Sequence, residues 1–236
     1  MSPLSSQLFS GQTPEPSCLV RNAWICPEYV RTRSAILTDA LVEHIWITVV
    51  SVLIGLVVAF PLALLARRYR KLEGFVVGTT TAIYTIPSLA LFSLLLPLSG
   101  LTPTTVIIGL ALYSLTILVR NVIEGLKGVP ADVRESALGM GYGRVRLLLG
   151  VELPLAVPTI MAGLRVAAVS TVALTTVGAI VGYGGLGNLL LQAVDSQFRA
   201  QVLAAGVLCV LLAVAFDLII VAAQWLLTPW TRGRAR

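Results

Sequence analysis

Charge is scarce in this chain. Only 12% of its 236 residues are Asp, Glu, Lys or Arg, against about 25% in a soluble domain, so water is not its main solvent. Histidine is nearly absent: His44 is the only one, and no Ser-His pair, metal-ligand cluster or paired carboxylates accompany it. That removes the usual grounds for a membrane-embedded hydrolase or transferase and leaves His44 as an interfacial residue. No phosphate-binding loop of the GxxxxGK[ST] type occurs, so the chain does not supply its own ATP hydrolysis in the usual way. Residues 1–43 hold no apolar run after a basic start, which argues against a cleaved signal peptide. Neither internal repeats nor low-complexity tracts are present, which excludes a solenoid or a disordered linker.

What is abundant is apolar: 57% of residues are hydrophobic and the mean hydropathy is +0.91. Five runs of roughly 20 residues, each able to cross a hydrocarbon core about 30 Å thick, cover 44–66, 75–98, 102–120, 155–180 and 201–227. Backbone groups find no partners in lipid, so each run is a helix or a barrel strand. The alternating ten-residue pattern of a barrel is missing, and the expected fold is an all-α membrane domain of about five spans.

Orientation follows from the basic residues, because positive loops stay cytoplasmic. Arg67, Arg68, Arg70 and Lys71 directly follow the first run, and this side of the membrane holds 12 of the 17 Lys and Arg residues. The N-terminus is therefore expected outside and the C-terminus inside, and the formal charge of +6 is a topology signal with no need of nucleic acid. The expected organisation is an extracytoplasmic segment over 1–43, a membrane domain over 44–228 and a basic cytoplasmic tail over 229–236. Cys18 and Cys26 lie in the outer segment, where an oxidising compartment would permit a disulfide closing a short loop. Cys209 is expected to pack as a small hydrophobe.

The stretch 121–154 is too long and too charged for a plain connector. Pro130, Asp132 and Glu135 suit the first turn of a short helix over 131–138. Gly139, Gly141 and Gly143 interrupt it, and a second short helix is expected from Arg144 to Glu152, stopped or bent by Pro154. An ordinary amphipathic helix pair lying on the membrane surface would fit the same pattern.

Within that stretch stand Glu135-Ser136-Ala137, then Gly141 after three residues, then Val151-Glu152-Leu153-Pro154 after nine more. The pattern resembles the Glu-Ala-Ala loop of permease subunits of binding-protein-dependent ATP-binding-cassette importers, with Ser136 and Val151 as mild departures. The chain from about 41 to 228 is similar to the osmoprotectant branch, whose members carry glycine betaine, choline, carnitine or proline. The residues that carry this are Tyr84 to Leu89, Arg120-Asn121 with Gly125 to Val129, Ile160 to Arg165, and Gly182-Tyr183-Gly184-Gly185-Leu186-Gly187. Methionine importers share the last motif and are the nearest alternative.

The resemblance implies that 131–138 is a coupling helix docking on an ATPase subunit, with Glu135, Ser136, Ala137 and Gly141 as coupling residues. It further implies a second permease subunit, two ATPase subunits carrying ATP and magnesium, and an extracytoplasmic substrate-binding protein, all at a bacterial cytoplasmic membrane. No cofactor or metal is expected on this chain.

Three smaller features complete the reading. Thr81, Thr85 and Ser88 recur at helical spacing with Tyr84 beside them, next to Pro87; this stripe either lines a translocation path or bonds its own helix carbonyls. Arg165 and Asp217 are charges inside the fourth and fifth spans at matching depth, and intramembrane charge is costly unless paired, so an ion pair is expected. Gly182, Gly184 and Gly187 spell GxGxxG, but they follow a membrane helix with no acidic partner at about twenty positions on. A glycine turn that folds Asn188 to Val194 back is expected there instead of a nucleotide site.

Overall fold

A computed structural model describes residues 16–230; for Arg70 it describes the backbone alone. Most of the basic tail at 229–236 and the first fifteen residues of the N-terminal segment therefore lie outside the described residues. Every regular element among those described is helical: α1 (Pro27–Thr32), α2 (Ser34–Arg68), α3 (Arg70–Thr85), α4 (Ser88–Ser99), α5 (Pro103–Lys127), α6 (Ala131–Gly139), α7 (Arg144–Leu147), α8 (Leu153–Thr175), α9 (Leu186–Asp195) and α10 (Arg199–Leu227). A π-helical turn, Leu148–Glu152, joins α7 to α8, and a 3₁₀ turn, Thr176–Val181, follows α8.

Four helical stretches are long and apolar enough to cross a membrane: Ser34–Arg68, Pro103–Lys127, Arg144–Val181 and Arg199–Leu227. The remaining expected span, 75–98, second in chain order, is not one helix. It breaks at Ile86-Pro87 into α3 and α4, bent by 99°. Pro87 has no N–H to continue the ladder and biases Ile86 to extended backbone, which Ile86 adopts at φ −68°, ψ 127°. The break exposes carbonyls that lipid cannot satisfy; α5 supplies a donor to one of them and grips α3 one turn earlier as well. The Tyr113 hydroxyl donates to the Ile86 carbonyl, and the Thr116 hydroxyl donates to the Thr80 carbonyl at 2.6 Å.

The break also corrects the expected polar stripe. Thr81 and Thr85 end one helix while Ser88 begins another, so the three do not share a face.

Two other boundaries move. α2 starts at Ser34, so the expected division at 43/44 falls inside a continuous helix. Pro154 neither stops nor sharply bends its helix: it stands just past the π-helical turn Leu148–Glu152, whose wider ladder accommodates a residue without an N–H. Residues Arg144–Val181 consequently run on as one 38-residue rod.

α5 is the central helix, with 67% of its apolar window buried, whereas α10 lies at the rim with 11%. α2 and α8 flank α5, and their approach is set by small side chains, as in membrane helix packing generally. Ala59, Ala63 and Ala66 of α2 meet Leu118, Val119, Val122 and Leu126 of α5. Gly55 faces Ser114 so closely that a methyl group would overlap its hydroxyl, and Gly163 of α8 is pressed against Asn121 in the same way.

His44 is fully buried in this packing, not interfacial. Its Nε2 lies 3.0 Å from the Val172 carbonyl of α8. One turn further on, Thr48 and Thr175 hydroxyls meet at 3.2 Å, so α2 and α8 share a polar seam.

Candidate functional site

The chain between α5 and α8 builds the loop expected to couple. Pro130 caps α6 in extended backbone, Asp132 stands in its first turn, and Gly141 turns the chain at φ +83°, a conformation that costs a side-chain-bearing residue about 1–2 kcal/mol. The Tyr142 amide then donates to the Ala137 carbonyl at 3.1 Å, closing the end of the helix. Nothing lies within 4 Å of the position a Cβ would take on Gly139, Gly141 or Gly143, so the elbow is open to a partner.

The four expected coupling residues separate by face. Glu135, Ser136 and Gly141 are exposed, while Ala137 is only 3% exposed and turns inward. The helical repeat puts Ala137 on the side of Val133 and Arg134, against the rest of the chain. Ala137 therefore seats the helix and does not present itself to a partner. The outward apolar residues are Leu138, Met140 and Val145, at 52%, 71% and 71% exposure. The Arg146 guanidinium lies over the Tyr142 ring, 4.6 Å from its centre, and steadies the elbow.

Beneath α6 sits a residue of the loop motif that was not among the expected coupling residues. Glu152, on the π-helical turn, is 4% exposed. The Arg67 guanidinium at the end of α2 donates to both of its carboxylate oxygens, at 2.7 Å to Oε2, and Arg134 Nε of α6 lies 3.0 Å from Oε1. Arg134 also donates to the Leu126 carbonyl in the last turn of α5. A signal was present in the sequence: Glu152 is a lone carboxylate in an otherwise apolar stretch, and such a charge demands partners. Nearby, Lys127 pairs with Glu73 of α3.

The residues of the expected polar stripe have ordinary partners. The Thr81 hydroxyl donates to the Val77 carbonyl at 2.6 Å and accepts from Arg120 at 2.8 Å. Thr85 bonds the Ala82 carbonyl at 2.7 Å. Tyr84 is 44% exposed and meets Tyr113 edge to face, ring centres 5.7 Å apart. Ser88 is half-buried at the start of α4.

Arg165 and Asp217 meet in a two-pronged contact, Nε to Oδ1 at 2.7 Å and the terminal nitrogen to Oδ2 at 2.9 Å. The fork geometry of guanidinium and carboxylate ties α8 to α10 in the apolar zone.

At the opposite end of the bundle from α6, the glycine turn has Gly182 at φ +85° and Gly185 at φ +54°. Asn188 clasps it, accepting from the Gly184 amide at 3.0 Å and donating to the Gly182 carbonyl at 3.1 Å. A methyl group on Gly185 would come within 2.7 Å of the His44 backbone. The turn delivers α9, which folds back as expected.

On α9 and the start of α10 rests a small cap, residues 16–33, closed by a Cys18–Cys26 disulfide. Glu28 lies beside the two sulfurs, but joined to one another they are not thiolate ligands for a metal. Asn22 holds the cap down, donating to the Gln197 carbonyl and accepting from the Arg199 amide, both at 2.9 Å. Tyr29 packs edge to face on Phe198 at 5.2 Å. Burial raises the Tyr29 phenol above its ordinary pKa, with Arg33 pulling the other way, so the ring stays neutral and apolar in this contact. Between cap and bundle is a cavity of about 460 Å³ lined in part by Asn22, Tyr29, Arg33, Gln192 and Gln201.

Residues 51–233 match the family model described as the binding-protein-dependent transport system inner membrane component. The glycine betaine/carnitine/choline transport system permease protein OpuCD of Bacillus subtilis is 39% identical over 178 residues, 75% of this chain and 78% of that one. The choline transport system permease protein OpuBB of the same organism is 32% identical over 86% of this chain and 93% of its own length. The osmoprotectant import permease protein OsmW of Salmonella typhimurium is 32% identical over 85% and 96%. Among solved structures, an inward-facing form of the MetNI methionine transporter is similar at a TM-score of 0.73 and 21% identity, covering 84% of this chain and 98% of that one. An amino acid ABC transporter is similar at 0.69 and 16%, covering 85% and 98%. At such identities the likeness is one of fold.

Proposed function

The chain belongs to the family of binding-protein-dependent transport system inner membrane components, and from that premise we propose that it is the membrane channel subunit of an ATP-driven importer of osmoprotectants such as glycine betaine, choline or carnitine. The observation that carries the proposal is the short helix α6, standing at one end of a membrane bundle with Glu135 and Ser136 outward and an open Gly141 elbow behind them. A helix so exposed, on a chain without a phosphate-binding loop, suits docking in a groove of a separate ATPase. The substrate class rests on relatives whose names specify betaine, carnitine and choline.

In this reading two permease chains, two ATPase subunits and an extracytoplasmic binding protein form the importer, with ATP and magnesium on the ATPases. The α6 end faces the cytoplasm, in keeping with the basic residues around it, and the cap and α9 face outward, where the binding protein delivers substrate. ATPase closure draws on α6 and turns the bundle outward; hydrolysis returns it. Few aromatic side chains are available for a quaternary-ammonium cage, so most of the selectivity is assigned to the binding protein.

The test is uptake of labelled glycine betaine, choline, carnitine and methionine by cells with the chain intact, deleted, or carrying Gly141→Asp. The expected result is loss of betaine-type uptake in both altered strains with the variant still in the membrane, since a side chain at 141 meets no neighbour in the chain itself. Loss of methionine uptake alone would keep the importer and reassign its substrate to amino acids. Unchanged uptake of all four would overturn the substrate class.

A further inference from the structure

α6 has little else to push on. Its principal packing partners are α7 and the π-helical turn, its outer face is exposed, and its elbow stands clear. Besides the chain at its two ends, force applied to α6 reaches the bundle through the few inward contacts it makes. The ionic one among them ends on a single carboxylate.

Glu152 accepts from Arg67 of α2 through both oxygens and faces Arg134 of α6 at 3.0 Å, while Arg134 also grips the end of α5. Glu152, 4% exposed, thus joins its own turn to α2 and α6 directly and to α5 through Arg134. The π-helical turn, a form frequent at functional positions, contains Glu152 and leads without interruption into α8.

Charge makes the arrangement specific. Two guanidiniums sit against one carboxylate, so neutralising Glu152 leaves two like charges facing each other across it. A cavity of about 610 Å³ lined by Arg67, Glu73, Gly74, Lys127 and Arg134 opens beside the cluster and gives Arg134 room to swing away. An amide at 152 keeps the size of the side chain but offers the guanidiniums a single neutral acceptor.

We propose that Glu152 is the positioning residue through which movement of α6 reaches α2 and α8 together, so that the helices on either side of α5 turn as one body. This rests on the reading of α6 as the coupling helix. The residue does not touch substrate; its contribution is to make ATPase movement and helix movement the same event.

The experiment uses the complete importer, with its ATPase and binding protein, reconstituted in proteoliposomes. ATP hydrolysis and uptake of labelled glycine betaine are measured side by side for the unaltered chain, Glu152→Gln, Glu152→Asp, Arg134→Gln and Gly141→Asp. The expected result is that Glu152→Gln assembles with the ATPase but spends about five-fold or more ATP per betaine carried, the lower end of the range for coupling between sites. Glu152→Asp, which keeps the charge, should recover much of the normal ratio. A merely structural role would lower hydrolysis and uptake together and leave their ratio alone, and that result overturns the proposal.

If Glu152→Gln fails to reach the membrane, Arg134→Gln decides in the same terms, because it removes the α6 arm and leaves Arg67 on Glu152. A raised ratio for Gly141→Asp with an unchanged one for Glu152→Gln sinks this inference and keeps the coupling helix. Unchanged ratios in both sink the coupling reading as well.

Discussion

Glycine, arginine and aspartate each carry a distinct physical burden here. Gly185 is tolerated because its missing side chain leaves room for the His44 backbone, and it adopts a φ that other residues resist. Arg165 and Asp217 satisfy one another where lipid would satisfy neither. Reversing one charge places two like charges at bonding distance, so Arg165→Asp and Asp217→Arg should each reduce the amount of assembled protein in the membrane. Carrying both changes should restore most of it, as read by membrane fractionation and complex pull-down; no restoration would show that the pairing does not hold α8 to α10.

This pair was visible in the sequence because two charges at equal depth in apolar runs have few other fates. His44 was not, since nothing in a linear pattern says that a residue near the start of an apolar run lies against the carbonyl of Val172, 128 positions away. The same holds for Asn22, whose amide closes the turn between α9 and α10 from far along the chain.

At the scale of helices, lengths and breaks were partly legible. α5 and α10 lie close to the hydrophobic runs that announced them, and α6 matches the spacing of Pro130, Asp132 and the glycines. The split of the second span went further than Pro87 alone implies, because many membrane helices carry a proline with only a kink. A donor for the carbonyl freed at the 99° bend is supplied by another helix, in the hydroxyl of Tyr113. Removing it tests this account. Tyr113→Phe leaves the Ile86 carbonyl without its donor, which should cost about 1–3 kcal/mol and lower the thermal midpoint of the detergent-solubilised protein. An unchanged midpoint would mean that the carbonyl finds another partner. The helix also continues past Pro154 where a stop or bend is expected, because a π-helical turn stands just before it, and a linear sequence does not announce that turn.

For the molecule as a whole, the sequence separates two ends by charge, and the structure gives each end its own device: a buried ionic cluster at one, a disulfide-closed cap at the other. The predicted orientation puts Cys18 and Cys26 outside and Met140 inside. A membrane-impermeant maleimide should label the reduced cap cysteines in intact cells. It should label Met140→Cys, at a position 71% exposed, only after the membrane is opened; the reverse pattern would invert the topology. Family membership, by contrast, was legible from one loop, because its motif is written within twenty residues of chain. The clamp under that loop is written in residues 67, 134 and 152, which only folding brings together.

The uninterrupted run from Arg144 to Val181 has a mechanical consequence. At about 1.5 Å per residue its 38 residues span about 57 Å, nearly twice the thickness of a hydrocarbon core. A rod of that length tilting by a single degree displaces one end by about 1 Å relative to the other. Ångström-scale travel at the nucleotide-driven end therefore arrives at the glycine turn as ångström-scale travel, without any bond in between having to change.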